Sequence, residues 1–451
     1  MNRSAAYMCE GPLLKKIVLY TIPVILTGVL QLLFNAADLV IVGRFAGSLS
    51  LASVGATGSI INLIITLFIG LSVGAGVMVA QGIGANDYND VYKTVHTAVP
   101  AAALGGLALT AVGLTFARLF LSWMGTQPDV IDGAVTYMRI YFLGMVGSML
   151  YNFGASILRA AGDIKSPLMF LTAAGVVNVL LNLLFVIAFH MGVAGVALAT
   201  VISQGISAAL TIGALTKRDD MCQLFIKDMR ISPAHLRRMV KIGLPAGLQG
   251  AMFSISNVLI QSSINSFGSV AMSGNAASAN IEGFVYISMN ALQQTATNFT
   301  GQNYGAKQFK RIKRITLTCL LLVTGVGIFS GALCYSMGRT LLGIYITDSP
   351  AAIEYGMLRM GFIALPYFLD GLMEVMTGVL RGMGRSALPM AVTLIGACLF
   401  RVVWIFTIFS IPQYHTLNVL YLSYAISWIL TFTVELIVYL VIMRKYKNSE
   451  A

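Results

Sequence analysis

The sequence predicts an all-α membrane protein of twelve transmembrane helices, arranged as two six-helix lobes related by a parallel internal repeat. Three observations carry that expectation. The chain is 57% hydrophobic and only 10% charged, with a mean hydropathy of +0.82, far from soluble composition. Apolar runs of about 20 residues or more recur along its whole length, each enough to cross the hydrocarbon core of a bilayer. Short motifs also recur at a constant distance. Leu158-Arg159-x-x-Gly162 with Pro167 returns as Leu380-Arg381-x-x-Gly384 with Pro389, 222 residues on at all four positions. Pro23 returns at the same offset as Pro245, and Gln81-x-x-Gly84-Ala85 returns as Gln302-x-x-Gly305-Ala306 at offset 221, as one small deletion would produce.

The predicted spans follow in order, with breaks that carry Gly, Pro, Asn, Asp or charge. The first, 17–42, holds Pro23 and stops before Gly43-Arg44; the second, 53–80, runs into Gln81-x-x-Gly84-Ala85. The third is 94–117, and the fourth, 134–158, ends on Leu158-Arg159. The fifth, 167–189, opens at Pro167, and the sixth, 193–215, stops before Lys217-Arg218. The second half repeats the series: 240–266 with Pro245, 273–300 before Gln302, 315–337 after a basic run, 355–380 up to Leu380-Arg381, 388–411 from Pro389, and 418–443. The first run is followed by eleven more and reads as a span, not a cleaved leader. Six spans per half is an even number, so both halves enter the membrane the same way up, related by an axis along the membrane normal. The expected parts are a lobe at 1–216, a linker at 217–239 and a lobe at 240–451, with a substrate path between the lobes.

The net charge of +12 is explained by position, not by nucleic acid. With a cytoplasmic N-terminus, 23 of the 29 Lys and Arg residues fall on the cytoplasmic side. Arg44, Arg118 and Arg339 face outside, and Arg139, Arg359 and Arg401 lie within spans. This is the positive-inside bias. It places both termini in the cytoplasm and the protein in the cytoplasmic membrane. The linker carries Lys217, Arg218, Lys227, Arg230, Arg237 and Arg238, and a second basic run covers Lys307–Arg314; contact with anionic headgroups accounts for both. Cys9, Cys222, Cys319, Cys334 and Cys398 show no CxxC spacing, so neither a cysteine metal site nor a disulfide framework is suggested.

Five carboxylates fall inside the spans: Asp38, Glu282, Asp370, Glu374 and Glu435. A charge at a span centre costs about 2.5–3.5 kcal/mol on insertion scales, so each marks either function or a structural pair. Asp38 is the strongest candidate. Thr27, Gln31, Asn35 and Asp38 follow spacings of four, four and three, one polar stripe on a helix. The fifth span offers Asn178 and Asn182 on one face, and the sixth offers Thr200. Counting back from the span ends at about 1.5 Å per residue, Asp38, Asn182 and Thr200 lie roughly 6–11 Å deep, with Asn178 one turn deeper. Such a set either cages a small hard cation such as sodium or tunes one proton-carrying carboxylate. The second half has no copy: Ile260 matches Asp38. There Asp370 and Glu374 sit one turn apart, Glu282 lies in the outer half of its span, and Arg401 is placed to neutralise one of the acids. The pairings are structural or the acids line a path for cationic substrate. Met252, Phe253, Met272, Phe284, Tyr286 and Met289 either line a soft pocket or fill space.

These motifs in register, over nearly the whole chain, resemble the multidrug and toxic compound extrusion (MATE) family. The resemblance implies proton- or sodium-coupled export of amphiphilic, often cationic compounds, with no other cofactor, by a protein expected to be a monomer. It also implies a cation site in the N-terminal lobe, which falls on Asp38, Asn178, Asn182 and Thr200. The residues themselves make Gln31, Asn35, Glu282, Asp370 and Glu374 candidates either to support that site or to line the substrate path. Some archaeal relatives carry Asp where Asn182 stands. Asp370 matches an acid of the NorM-type branch. That branch also has a Glu about ten residues after Gly-Leu-Pro, where Gly243-Leu244-Pro245 is followed here by Phe253, so the DinF-like branch fits better. A lipid-linked oligosaccharide flippase of the same superfamily is the alternative, but it calls for cationic residues to hold pyrophosphate, and most intramembrane charge here is acidic. An enzyme is disfavoured: His96, His190, His235 and His415 lie at or near span ends, with no metal-ligand or Ser-Lys arrangement.

Overall fold

The computed structural model describes residues 7–347 and 349–447. Among the described residues, the regular structure is helical. Its helices are α1 (Leu13–Ile41), α2 (Ser48–Gly84), α3 (Tyr88–Trp123), α4 (Ile131–Leu143), α5 (Met145–Ala160), α6 (Lys165–Leu183), α7 (Gly192–Thr216) and α8 (Pro233–Asn265). There follow α9 (Ser269–Gly305), α10 (Phe309–Ser336), α11 (Gly338–Tyr345), α12 (Pro350–Phe362), α13 (Tyr367–Gly382), α14 (Ala387–Thr393), α15 (Phe400–Phe406) and α16 (Leu417–Lys447). π-Helical turns continue α1 over Val42–Ala46 and α6 over Leu184–Ala188, and join α14 to α15 over Leu394–Leu399.

Among the described residues, eight helical stretches are long and apolar enough to cross a membrane, or ten if the bent pairs α4/α5 (48°) and α12/α13 (47°) each count once. The protein is therefore a multi-pass membrane protein. The predicted span 240–266 matches α8 to within one residue at its end, and 273–300 lies within α9; the two helices have 33 and 37 residues. These two are long enough to cross, but their polar content keeps them from qualifying by composition. Asn275, Ser278, Glu282, Gln293, Thr295 and Asn298 of α9 are all buried, so their polarity is turned into the protein.

The duplicated motifs are helix stops. Gly162 and Gly384 both have left-handed backbones, with φ of +88° and +77°. Asp163 N–H donates to the Leu158 carbonyl at 2.9 Å and Gly162 N–H to that of Arg159 at 3.0 Å; Arg385 and Gly384 repeat this on Leu380 (3.1 Å) and Arg381 (2.8 Å). This is the Schellman arrangement, in which a residue without Cβ strain ends the helix and satisfies its last carbonyls. The Gln-x-x-Gly-Ala motif ends α2 and α9 in the same way, with Asn86 (φ +54°) and Lys307 (φ +58°) in the left-handed position. Its glutamines hold incoming chain: Gln81 Oε1 accepts from Arg238 at 3.0 Å, and Gln302 Oε1 accepts from Met8 N–H at 3.3 Å.

The chain divides into two compact units, one of Ile22–Gly247 and the other joining Met8–Thr21 to the chain from Leu248 onward. The divisions fall inside α1 and α8, beside Pro23 and Pro245. In the first unit the core gathers Val42, Met78, Leu109, Phe142, Met145 and Leu158. The segment 217–239 is folded onto this unit. Arg218 binds both carboxylate oxygens of Asp220 and reaches Asp163 at 3.2 Å, and Cys222 and Leu224 are buried. Burial pushes the Cys222 thiol up to about 12. In the second unit, Ile260, Met373, Tyr421 and Trp428 form one cluster and Leu342 and Met360 another. α13 lies close on α9, where a Cβ at Gly378 would meet the Gln293 carbonyl oxygen at 2.5 Å.

Candidate functional site

In the first unit, α1 and α6 approach through Phe34 and Gly175. A Cβ on Gly175 would fall inside the Phe34 ring, so only glycine allows this contact. Asp38 is one turn beyond Phe34 and Asn182 two turns beyond Gly175, which brings their side chains face to face. Asn182 Nδ2 donates to Asp38 Oδ1 at 2.5 Å and to Asn178 Oδ1 at 3.1 Å. Asn178 Nδ2 donates to Thr200 Oγ1 at 3.5 Å, and Thr200 Oγ1 donates to the Val196 carbonyl at 3.0 Å. The four residues expected from the sequence thus form one hydrogen-bonded chain across α1, α6 and α7. Asn178 and Asn182 are buried and Asp38 is half-buried.

Both helices turn π-helical just beyond the contact, α1 at Val42 and α6 at Leu184, and the two π turns pack against each other. Such wide turns free backbone groups and recur at functional sites. Periodicity carries no sign of them. The sequence reading also passed over Tyr137 and Tyr141 of α4, which stack at 5.8 Å and lie within electrostatic range of Asp38. Their i,i+4 spacing was the available signal.

Of the polar stripe on α1, Thr27 is buried, donating to the Pro23 carbonyl at 2.8 Å, while Gln31 and Asn35 are exposed.

The carbonyl oxygen of Asn182 is buried and has no hydrogen-bond partner among the described residues. Together with the Asp38 carboxylate, the Asn178 carbonyl and the Thr200 hydroxyl, it makes an all-oxygen donor set. That suits a hard monovalent cation. The same amide donates to Asp38, the one group of the four whose chemistry allows it to take up a proton.

The second unit holds its acids differently. Glu282 is buried and paired with Arg359, whose Nη2 lies 2.9 Å from Oε2 and whose Nε lies 3.2 Å from both oxygens. Ser278 donates to Glu282 at 2.8 Å, and Arg359 also reaches Asn275 at 2.7 Å. Each guanidinium nitrogen of Arg359 and both carboxylate oxygens of Glu282 have a hydrogen-bond partner, as a buried ion pair requires. Arg401 stacks on Tyr424, 4.1 Å from guanidinium carbon to ring centre, and lies within electrostatic range of Asp370. Glu374 accepts from Gln293. Glu435 accepts from Thr377 at 2.9 Å and Thr393 at 3.4 Å. Ile260 is a core residue. Of the apolar candidates, Met289 is buried, Met252 and Phe253 are half-buried, and Met272, Phe284 and Tyr286 are exposed.

The MatE family model matches the chain twice, at residues 23–184 and 245–407. The chain is 27% identical to the "Probable multidrug resistance protein YpnP" of Bacillus subtilis (strain 168), over 87% of each chain. It is 22% identical to the "Probable multidrug resistance protein NorM" of Thermotoga maritima, over 84% of this chain and 82% of that one. Among solved structures it is similar to the outward-facing conformation of a multidrug resistance MATE family transporter of the MOP superfamily, with a TM-score of 0.92, 20% identity, and coverage of 99% of this chain and 100% of that one.

Proposed function

The chain belongs to the MatE family, and on that premise we propose that it is an antiporter that exports amphiphilic, mostly cationic compounds by alternating access, driven by a proton or sodium gradient. The observation that carries the reading is the chain Asp38–Asn182–Asn178–Thr200. It contains a single carboxylate, so one group can change charge and three neutral groups orient it. A cation bound there supplies one positive charge opposite Asp38. Asp38 and Asn182 Oδ1 would be its principal ligands, with Asn178 Oδ1 and Thr200 Oγ1 completing the set. When no ion is held, the Asn182 amide donates to Asp38 and keeps the carboxylate from facing bare hydrocarbon, whose cost would otherwise be large.

The finer architecture belongs to the same reading: twelve spans, counting α8 and α9, in lobes of residues 1–216 and 240–451 joined by 217–239. Two family matches that begin 222 residues apart support this. Both termini are cytoplasmic, supported by the distribution of Lys and Arg. The transporter acts in the cytoplasmic membrane as a monomer. Phe253, at the place of an acid in the NorM-type branch, supports the DinF-like branch. Asp370 and Glu374 give the second lobe its preference for cations, while Glu282 is committed to Arg359.

The test is purified protein in liposomes, with uptake of a fluorescent cationic amphiphile driven separately by a sodium gradient and a pH gradient. Uptake under one gradient that stops when it is collapsed is the expected result. No response to either gradient overturns the reading.

A further inference from the structure

A cavity of about 650 Å³ opens where the segment 217–239 lies against the start of α3, lined by Tyr92, Lys93, His96, Lys227, Asp228, Arg230, Ile231 and Ser232. Its size is that of a site for a small organic molecule, roughly 300–1,000 Å³. Its walls are fastened. His96 accepts from Phe225 N–H at 3.0 Å through Nε2, and its Nδ1 faces the Tyr92 carbonyl at 2.8 Å. Thr97 Oγ1 accepts from Ser232 N–H at 3.1 Å and donates to the Arg230 carbonyl at 3.4 Å. The rings of Tyr92 and His96 stack at 3.9 Å.

Three cations, Lys93, Lys227 and Arg230, line the cavity against one carboxylate. That carboxylate, Asp228, accepts from the Tyr92 hydroxyl at 2.9 Å, which leaves the cations in excess. α8 starts at Pro233, directly after Ser232, and the start of a helix adds positive potential. Tyr92 and Ile231 supply an apolar side. Tyr92, Lys93 and His96 lie in the first three turns of α3, a candidate span over Tyr88–Trp123, at the edge of the predicted apolar run 94–117, which puts the cavity at one end of that span.

We propose that this cavity binds a phosphate-bearing amphiphile, its phosphate held among Lys93, Lys227 and Arg230 and its carbon skeleton laid on Tyr92 and Ile231. Two sources share that chemistry: the headgroup of an anionic phospholipid in the adjacent leaflet, and a soluble phosphate monoester. The site needs no part of the Asp38 chain, so it stands or falls independently of the coupling mechanism.

The experiment titrates dioctanoyl phosphatidylglycerol, glycerol 3-phosphate and dioctanoyl phosphatidylcholine into the full-length protein in an uncharged detergent, by calorimetry. Saturable one-to-one binding of phosphatidylglycerol over phosphatidylcholine is expected. Lys227→Gln with Arg230→Gln weakens it roughly 30-fold, since each cation near such a surface contributes comparably. Glycerol 3-phosphate binding as tightly as the lipid assigns the site to a soluble ligand; weak binding assigns it to the membrane. Lys93→Gln, on a helix, serves as a second variant, and unchanged melting temperatures show that both variants fold. Equal binding of phosphatidylcholine, unsaturable binding of both anions, or wild-type affinity in the folded variants overturns the proposal.

Discussion

Asn182 donates to Asp38 from a neighbouring helix at 2.5 Å, while the carbonyl end of the same amide is buried without a hydrogen-bond partner among the described residues. One side chain therefore offers the carboxylate a donor and keeps an acceptor in reserve. An Asp at position 182 would offer no such donor without a proton of its own; with Asn there, the four residues comprise three neutral groups and a single ionisable one.

The two ends of that amide predict a separation of coupling ions. Asn182→Ala removes both the donor and the spare carbonyl. If sodium is the coupling ion, the sodium concentration for half-maximal export rises about tenfold, the effect of losing one charge-assisted contact of roughly 1.5 kcal/mol. If the proton is, the sodium response stays flat and the pH profile of export shifts instead. Uptake into liposomes measured over a sodium series and a pH series distinguishes the two.

Arg359→Ala should destabilise the protein by about 3–5 kcal/mol, because it leaves Glu282 buried and uncompensated. The double change Arg359→Met with Glu282→Gln should recover most of that loss. Thermal melting in detergent, read from the tryptophans, checks both. A single variant that melts like the wild type would show the pair to be dispensable.

Much of this arrangement was legible in advance, for a specific reason. Spacings of three and four residues become a shared helix face, so the stripe ending in Asp38 and the pair Asn178 and Asn182 could be read directly. The repeated Leu-Arg-x-x-Gly was legible as a repeat but not as what it is, a left-handed helix stop. Contacts that depend on tertiary distance were not legible. Glu282 and Arg359 are 77 residues apart, and Arg401 was an equally good partner on paper. The π turns after Asp38 and Asn182 leave no periodic trace, since each is the last turn of its helix and no apolar stripe follows in which a change of register would show. The segment 217–239 reads as a polar linker because its anchors, Cys222 and Leu224, are two residues in a charged stretch.

The helix stops predict their own cost. Gly162→Ala and Gly384→Ala each force a Cβ into a left-handed backbone, which should cost about 1–2 kcal/mol. Gly325→Ala, at a helical position with open space around it, should be neutral or slightly stabilising. Melting temperatures of the three variants, compared at one detergent concentration, test the assignment.

Cys222 predicts a pH dependence outside the membrane. Burial pushes its thiol from the ordinary 9.0 to about 12, so the folded state holds its proton where the unfolded chain releases it. Between about pH 9 and 12 the unfolded state binds fewer protons, and stability falls as pH rises through that window. Maleimide labelling of Cys222, followed by mass spectrometry of its peptide, should be negligible at pH 8 in the folded protein and rapid in denaturant. Fast labelling at pH 8 without denaturant would show the 217–239 segment detached.

Asp38 is the last and most decisive position. Among Asp38, Asn178, Asn182 and Thr200 it alone can change charge, so in the proposed antiport it is the group on which the response to the ion gradient depends most. Asp38→Asn keeps the size and retains hydrogen bonding to Asn182, so expression and melting temperature should stay near those of the wild type. Gradient-driven export should fall to the background of empty liposomes, whereas binding of a cationic amphiphile should survive, because the acids proposed to attract it, Asp370 and Glu374, lie in the other unit. Thr200→Ala should slow export severalfold without abolishing it, since Asn178 and Asn182 still orient the carboxylate. The measurement is export and equilibrium binding on the same preparations. If Asp38→Asn protein moves substrate against its gradient at the wild-type rate, the charge that drives transport resides elsewhere, and the buried acids of the second unit become the place to look.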